Sequence, residues 1–175
     1  RSQAQLQGAM NTEVTSGTGL IGRWGLNEGT GTSASNSVAG APAGTLTNGP
    51  TWTTGYSFTS GASALLFGGT NAYVAYGNPA ALGLSQYTIE CWFRRDGAGV
   101  GTNTGAGGAI GVPLLAHGRA DQDTAQMHVN WFLGIRESDS RLMADFEESD
   151  AGATQSLNHP IFGTSVVPAN GAWHH

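Results

Sequence analysis

The sequence predicts an all-β protein built as an antiparallel sandwich or barrel. Three observations carry that prediction. Short runs of β-branched and aromatic residues recur between turn signals, at the roughly eight-to-twelve-residue spacing of all-β domains. Helical periodicity lasting more than two turns occurs nowhere. Charged residues make up only 11% of the chain, while glycine fills 28 of its 175 positions. That balance suits turns and short strands, not helices, in which Glu, Lys, Arg and Leu would be common.

The elements follow in order. Residues 1–18 lack strong periodicity and read as an extension or linker with a short ordered part at most. The domain itself is expected over residues 19–175. LIGRWGL reads as a strand, followed by the turn-rich NEGTGTSASNSVAG. AGTLTNGPTW offers a short strand and a turn at Asn48-Gly49, a dipeptide that tolerates two positive φ values. SALLF is apolar, GGTN turns, and AYVAY alternates. PAALGLS reads as a loop or a single helical turn before the strand YTIECWFRR, Tyr87 to Arg95. DGAGVGTNTGAGGAIG, Asp96 to Gly111, is a long glycine-rich stretch. No Gly-Lys-Ser/Thr follows it, so it is no phosphate cradle, and it reads as a mobile surface insertion. VPLLAHG is a further strand and ADQDTAQ a turn. MHVNWFLGIRE and RLMADFEE read as a hairpin closed around Ser138-Asp139-Ser140. TSVVP and NGAWHH supply two more short strands, the second entered through a turn.

Strand alternation sorts YTIECWFRR into two faces. Tyr87, Ile89, Cys91 and Phe93 form the expected core face; Thr88, Glu90, Trp92 and Arg94 form the other. An outward Trp beside hydrogen-bonding groups offers a sugar ring an apolar surface to stack on and partners for its hydroxyls. Trp92, Glu90 and Arg94 are therefore the candidate ligand-binding residues. The competing reading covers Trp92 with the glycine-rich loop or the N-terminal extension.

The net charge is −5, and the seven basic residues are all arginine. No basic patch can form, which excludes nucleic acid and anionic membrane as expected partners. No apolar run reaches spanning length, so no membrane insertion is expected. Cys91 is the single cysteine, which rules out an internal disulfide and a cysteine zinc site, and reads as a buried, inert thiol. The chain opens on Arg1 rather than Met, so a preceding segment is expected to have been removed or left out.

LIGRWGLNEGTGT, AGTLTNGPTW, ALLFGGTNAYVAYG, YTIECWFRR and NGAWHH, in that order and spacing, resemble the laminin-G-like (LamG), pentraxin-like domains of the concanavalin A-like lectin and glucanase superfamily. The resemblance covers residues 19–175. It implies a jelly-roll sandwich of two curved antiparallel sheets, secreted or displayed at a cell surface within a larger protein. It also implies binding of calcium, glycans or proteins, with a hydrolytic branch acting on glucans. Two departures stand out. The family's FDG and NDYV read here as Phe67-Gly68-Gly69 and Asn71-Ala72-Tyr73-Val74, so two expected carboxylates are missing. In the family, strands follow Trp-His-His, whereas this sequence stops at His175. The expectation is an incomplete domain, closed by the rest of a longer parent chain or by a second chain; the alternative is a sandwich that closes with fewer strands than its relatives.

The best cation candidate is ADFEESD, with Asp145, Glu147, Glu148 and Asp150, followed by Asn158 and His159. Calcium needs several oxygens, and Asp145, Glu147 and Asn158 are the candidate ligands; the alternative is a solvated strand end. Asp121 and Asp123 are a second, weaker pair with no EF-hand spacing. The family's hydrolytic E-x-D-x-x-E fails twice: Glu137-Ser138-Asp139 meets Leu142, and Glu148-Ser149-Asp150 meets Ala153. Retaining hydrolysis needs two carboxyls about 5 Å apart, so no catalytic residue is expected. His117, His128, His159, His174 and His175 show no helical zinc spacing. The expectation is a non-catalytic extracellular binding or adhesion module for glycans, with calcium as candidate cofactor. The alternative is a structural protein–protein module of a surface assembly.

Overall fold

The computed structural model of the chain describes residues 2–56, 62–118, 129–147 and 157–175. The regular structure is almost all strand, and every strand pair is antiparallel. Two compact units divide the chain. One ends at Trp92 and includes His175; the other spans Phe93–His174.

The first unit opens with a short helix, α1 (Gln3–Ala9). Ser2 and Gln5 close it with a capping box: the Gln5 N–H donates to Ser2 Oγ and the Ser2 N–H to Gln5 Oε1. LIGRWGL was expected as a strand but makes only an isolated bridge, Trp24 to Asn36. Side chains do the work of a ladder there. Asn36 Oδ1 accepts the Arg23 N–H at 2.9 Å, and the Trp24 indole donates to the Pro42 carbonyl at 2.9 Å. The strands are β1 (Ser33–Ala34), β2 (Gly44–Thr47), β3 (Thr51–Thr54), β4 (Ser63–Leu66) and β5 (Tyr73–Ala75). They form a three-stranded sheet, β1-β2-β5, and a separate hairpin, β3-β4. Asn48 and Gly49 take the expected positive φ, 58° and 76°. The turn nonetheless joins no hairpin, because β2 pairs with β1 and β5 while β3 pairs with β4. A single 3-10 turn, Ala80–Leu82, fills PAALGLS.

The second unit holds β6 (Phe93–Arg94), β7 (Thr102–Asn103), β8 (Ile110–Gly118), β9 (Val129–Arg136), β10 (Arg141–Asp145), β11 (Ile161–Val166) and β12 (Trp173–His174). Five of them form one sheet, β11-β10-β9-β8-β7, and β12 pairs with β6. The β9-β10 hairpin closes as predicted, with Ser140 at φ 61°. Gly134 is required in it by close approach: a Cβ there would lie 2.6 Å from the Val112 carbonyl oxygen and 2.4 Å from the Phe132 ring.

Two expectations are corrected. The strand Tyr87–Arg95 is paired only at Phe93–Arg94, against Trp173–His174. Its supposed core face is not the core, since Tyr87 is 39% exposed and Cys91 is half-buried. The core of this unit is instead Val129, Phe132 and Met143, with Ala109 and Phe162 packed against it. Val129 and Phe132 lie on β9, Met143 on β10 and Phe162 on β11, and Ala109 just precedes β8. The glycine-rich stretch is not a bare insertion either. It folds back as β7 on β8, with Thr104 buried at its end.

Candidate functional site

Of the three predicted ligand-binding residues, Glu90 and Trp92 belong to the first unit and Arg94 to the second. Trp92 is half-buried, and Tyr56 stacks on it with ring centroids 3.9 Å apart and planes 10° from parallel. The His175 ring approaches the same indole at 5.2 Å, and His175 Nε2 lies 3.8 Å from the Glu90 carboxylate. Trp92 therefore has an aromatic cover, supplied by Tyr56 and His175. Arg94 belongs to the second unit. It forks onto Asp96, through Nε at 2.9 Å and Nη2 at 2.8 Å, and lies over the Trp173 ring at 5.5 Å.

The candidate calcium ligands do come together, at the end of β10. Asp145 is fully buried. Its Oδ2 accepts the Thr104 hydroxyl at 2.5 Å and its Oδ1 the Phe146 N–H at 2.9 Å. Burial pushes the Asp145 carboxyl above its ordinary range, against the pull of these donors and of the His159 backbone. Glu147 Oε2 accepts the Val129 N–H at 2.9 Å, and Glu147 bridges Asn158 across the backbone. Asn158 is 4% exposed and donates twice to the Ala106 carbonyl, from its N–H and its side-chain amide. Calcium takes six to eight oxygens, as a rule including several free carboxylate oxygens. Here three of the four carboxylate oxygens already serve protein donors. Asp145, Glu147 and Asn158 therefore pin the Thr104–Ala109 loop and the start of β9 to β10; Asn158 Oδ1 is enclosed with no hydrogen-bond partner among the described residues, but with one carboxylate oxygen it falls short of the six to eight oxygens that calcium takes. Among the described residues no group of three or more His, Cys, Asp and Glu could hold a metal ion. Asp121, Asp123, His128, Glu148 and Asp150 lie outside the described residues.

The groove that sequence reasoning missed lies in the first unit, on the β3-β4 hairpin. The ladder sets Trp52 opposite Leu65 and Thr54 opposite Ser63, so these four side chains share a face. A shallow groove of about 420 Å³ is lined by Trp52, Thr53, Thr54, Ala62, Ser63 and Gly29. The Trp52 indole donates to the Gly31 carbonyl at 2.9 Å, which fixes the ring's orientation. Gly29, at φ 68°, comes so near that a Cβ would sit 3.2 Å from Ser63 Oγ. The result is an indole flanked by hydroxyls at the edge of a fixed loop. The signal was present in Thr51-Trp52-Thr53-Thr54, a tryptophan among hydroxyl side chains, but nothing in the sequence distinguished it from an ordinary strand.

That loop, Gly25 to Gly31, is conformationally costly. Leu26 holds φ 53°, a position that costs about 1–3 kcal/mol for a bulky residue. A second cleft of about 240 Å³ is lined by Arg23, Asn27, Glu28, Ser35 and Ser37, among others. Glu28 Oε1 accepts the Ser35 N–H at 2.6 Å. Its Oε2 is enclosed and has no hydrogen-bond partner among the described residues. Tyr76, its ring tilted 49° against Trp24 at 4.4 Å, has its phenol pushed up to about 12 by burial and by the Glu28 charge.

The chain matches no family model, no curated protein and no solved structure at significant similarity, so its function has to be read from these groups.

Proposed function

We propose that the chain is a non-catalytic glycan-binding module, of laminin-G-like jelly-roll type and acting at the cell surface or outside the cell. The observation that carries this reading is the Trp52 groove. A sugar ring presents an apolar face bordered by hydroxyls, and an oriented indole flanked by Thr54 and Ser63 complements both. The sequence motifs and the antiparallel pairing support the sandwich. The absence of catalysis is inferred from carboxylates held by other groups: Asp139 by Arg136, Asp145 by Thr104, Glu147 by Val129. Calcium is not carried into the proposal, for the reason given by the donors around Asp145.

A glycan array probed with the wild-type chain and with Trp52→Ala tests the reading. Binding by the first and loss by the second is the expected result; wild-type binding that survives in Trp52→Ala would move the site elsewhere. Release of reducing sugar from β-glucan would overturn the non-catalytic assignment.

One observation favours a second reading, a protein-interaction module. β11 is an edge of the five-stranded sheet and exposes Ile161 (63%) and Val166 (58%). An apolar edge strand is a template for pairing with another chain.

A further inference from the structure

We infer that the Trp52 groove takes electrically neutral sugars and needs no cation to hold them, so that uronates and sulfated sugars are not its ligands. The inference rests on the glycan reading of that groove and narrows it to one ligand class.

A long uncharged run carries it. From Gly29 to Ile89 the sequence holds no Asp, Glu, His, Lys or Arg. At the chain's overall 11% of charged residues, a run of that length would carry several. All of β1–β5 lie inside it. So do the residues that line the groove: Gly29, Trp52, Thr53, Thr54, Ala62 and Ser63. The sequence between Thr54 and Ala62 contributes only Gly, Tyr, Ser, Phe and Thr.

The charged groups described in the first unit are engaged elsewhere. Glu28 precedes Gly29 in sequence but lines the other cleft, with one carboxylate oxygen on the Ser35 N–H and the other enclosed. Arg23 is ion-paired with Glu13. Glu90 and His175 lie beside each other at Trp92.

Two consequences follow for a ligand. A carboxylate or sulfate that enters the groove gives up water and meets no guanidinium, ammonium or imidazolium among the described residues, so its desolvation goes uncompensated. A sugar held through calcium needs carboxylates to hold the ion, and none of the described lining residues is acidic. What the groove offers instead is the Trp52 indole, oriented by the Gly31 carbonyl, with the Thr54 and Ser63 hydroxyls on the same face. Hydroxyls donate and accept alike, as the hydroxyls of a neutral sugar do. Binding through such groups does not depend on ionic strength, because no pair of charges is there to be screened.

The test uses the whole chain and four neutral oligosaccharide ladders, cello-, xylo-, laminari- and manno-, from monosaccharide to hexasaccharide. Two acidic series, oligogalacturonates and chondroitin sulfate fragments, run beside them. Calorimetry follows each at about 0.01 M and about 1 M sodium chloride, between which the screening length falls from about 30 Å to about 3 Å. Each titration is repeated with chelator and with calcium. Near-ultraviolet circular dichroism checks the fold of Trp52→Ala and of Thr54→Ala, the second a small change at an exposed position. At least one neutral ladder is expected to bind, with affinity constant within about twofold across salt, calcium and chelator. Trp52→Ala abolishes that binding, and Thr54→Ala weakens it by about two- to tenfold, the worth of one hydrogen bond. The acidic series bind more weakly than the neutral ladder or not at all.

An acidic series bound as tightly as the neutral ladders and lost in Trp52→Ala would overturn the neutral class and leave the Trp52 reading standing. So would neutral-sugar binding at Trp52 that chelator abolishes or that salt weakens beyond that range. If no ladder and no acidic series binds, or if binding keeps its full strength in both variants, the glycan reading of the groove falls, and this inference with it.

Discussion

Tyr56 stacks on Trp92 at 3.9 Å, with the two rings 10° from parallel. The pairing accounts for the tryptophan on the polar face of YTIECWFRR: the indole is there to pack. Aromatic pairs contribute about 0.5–1.5 kcal/mol beyond the area they bury. Tyr56→Ala is expected to lower the unfolding free energy by at least that amount and to shift Trp92 emission to the red. Denaturant titration followed by tryptophan fluorescence reads both. Unchanged stability and emission would mean the stack does not persist in solution.

The Thr104 hydroxyl reaches the buried Asp145 at 2.5 Å. Thr104→Val keeps the shape and removes the donor, leaving a carboxylate oxygen enclosed. The expected loss is about 1–3 kcal/mol in urea unfolding. Calcium and chelator are both expected to leave the Tm where it stands, because three of the four Asp145 and Glu147 carboxylate oxygens already have donors. A rise in Tm with calcium that Asp145→Asn abolishes would restore the cation site.

Two carboxyls give stability opposite dependences on pH. Hydrogen bonds from Arg136 hold Asp139 down to about 2, below its ordinary value of 3.8. Its contribution is present above that ordinary value and fades as pH falls toward about 2. Burial raises Asp145, so the folded chain holds that proton to higher pH than the unfolded chain does. Its contribution is present in acid and is lost as pH rises through the raised titration. Urea titrations across this range should show the first slope vanish in Asp139→Asn and the second in Asp145→Asn. A slope that persists in its own variant would assign it to another group.

Gly134→Ala tests the packing of the β9-β10 hairpin. The added methyl meets the Val112 carbonyl, which is backbone and cannot swing aside. Overpacking of this kind costs about 1–3 kcal/mol, measured by chemical denaturation. A neutral result would mean β8 and β9 separate more easily than their pairing indicates.

How much of this was legible in the sequence follows from what each pattern encodes. The β9-β10 hairpin was readable because the strand-like runs at Val129–Arg136 and Arg141–Asp145 flank the turn-forming Ser138-Asp139-Ser140. SALLF, AYVAY and NGAWHH were readable as short strands for the same local reasons. LIGRWGL misled because propensity cannot show that the Asn36 amide takes the place of a partner strand. YTIECWFRR misled because alternation assigns faces without saying which face meets the core; that depends on pairing, and only Phe93–Arg94 pairs. Asp145, Glu147 and Asn158 were grouped from acidity and nearness in sequence. What they bind depended on Thr104, 41 positions upstream of Asp145, inside a stretch read as a loose loop. Trp52 went unnoticed because its groove needs Gly29 and Ser63, residues brought together only by the hairpin and the loop.

The most direct test of the glycan reading is the indole N–H spectrum of the chain, which has five tryptophans. The resonance of Trp52 is assigned through Trp52→Phe, and the four oligosaccharide ladders are titrated in. Binding at the β3-β4 groove predicts that the Trp52 indole shifts first and saturably, while the Trp92 indole, covered by Tyr56, stays in place. No shift at Trp52 in any titration, or a saturable shift at Trp92 instead, would contradict it.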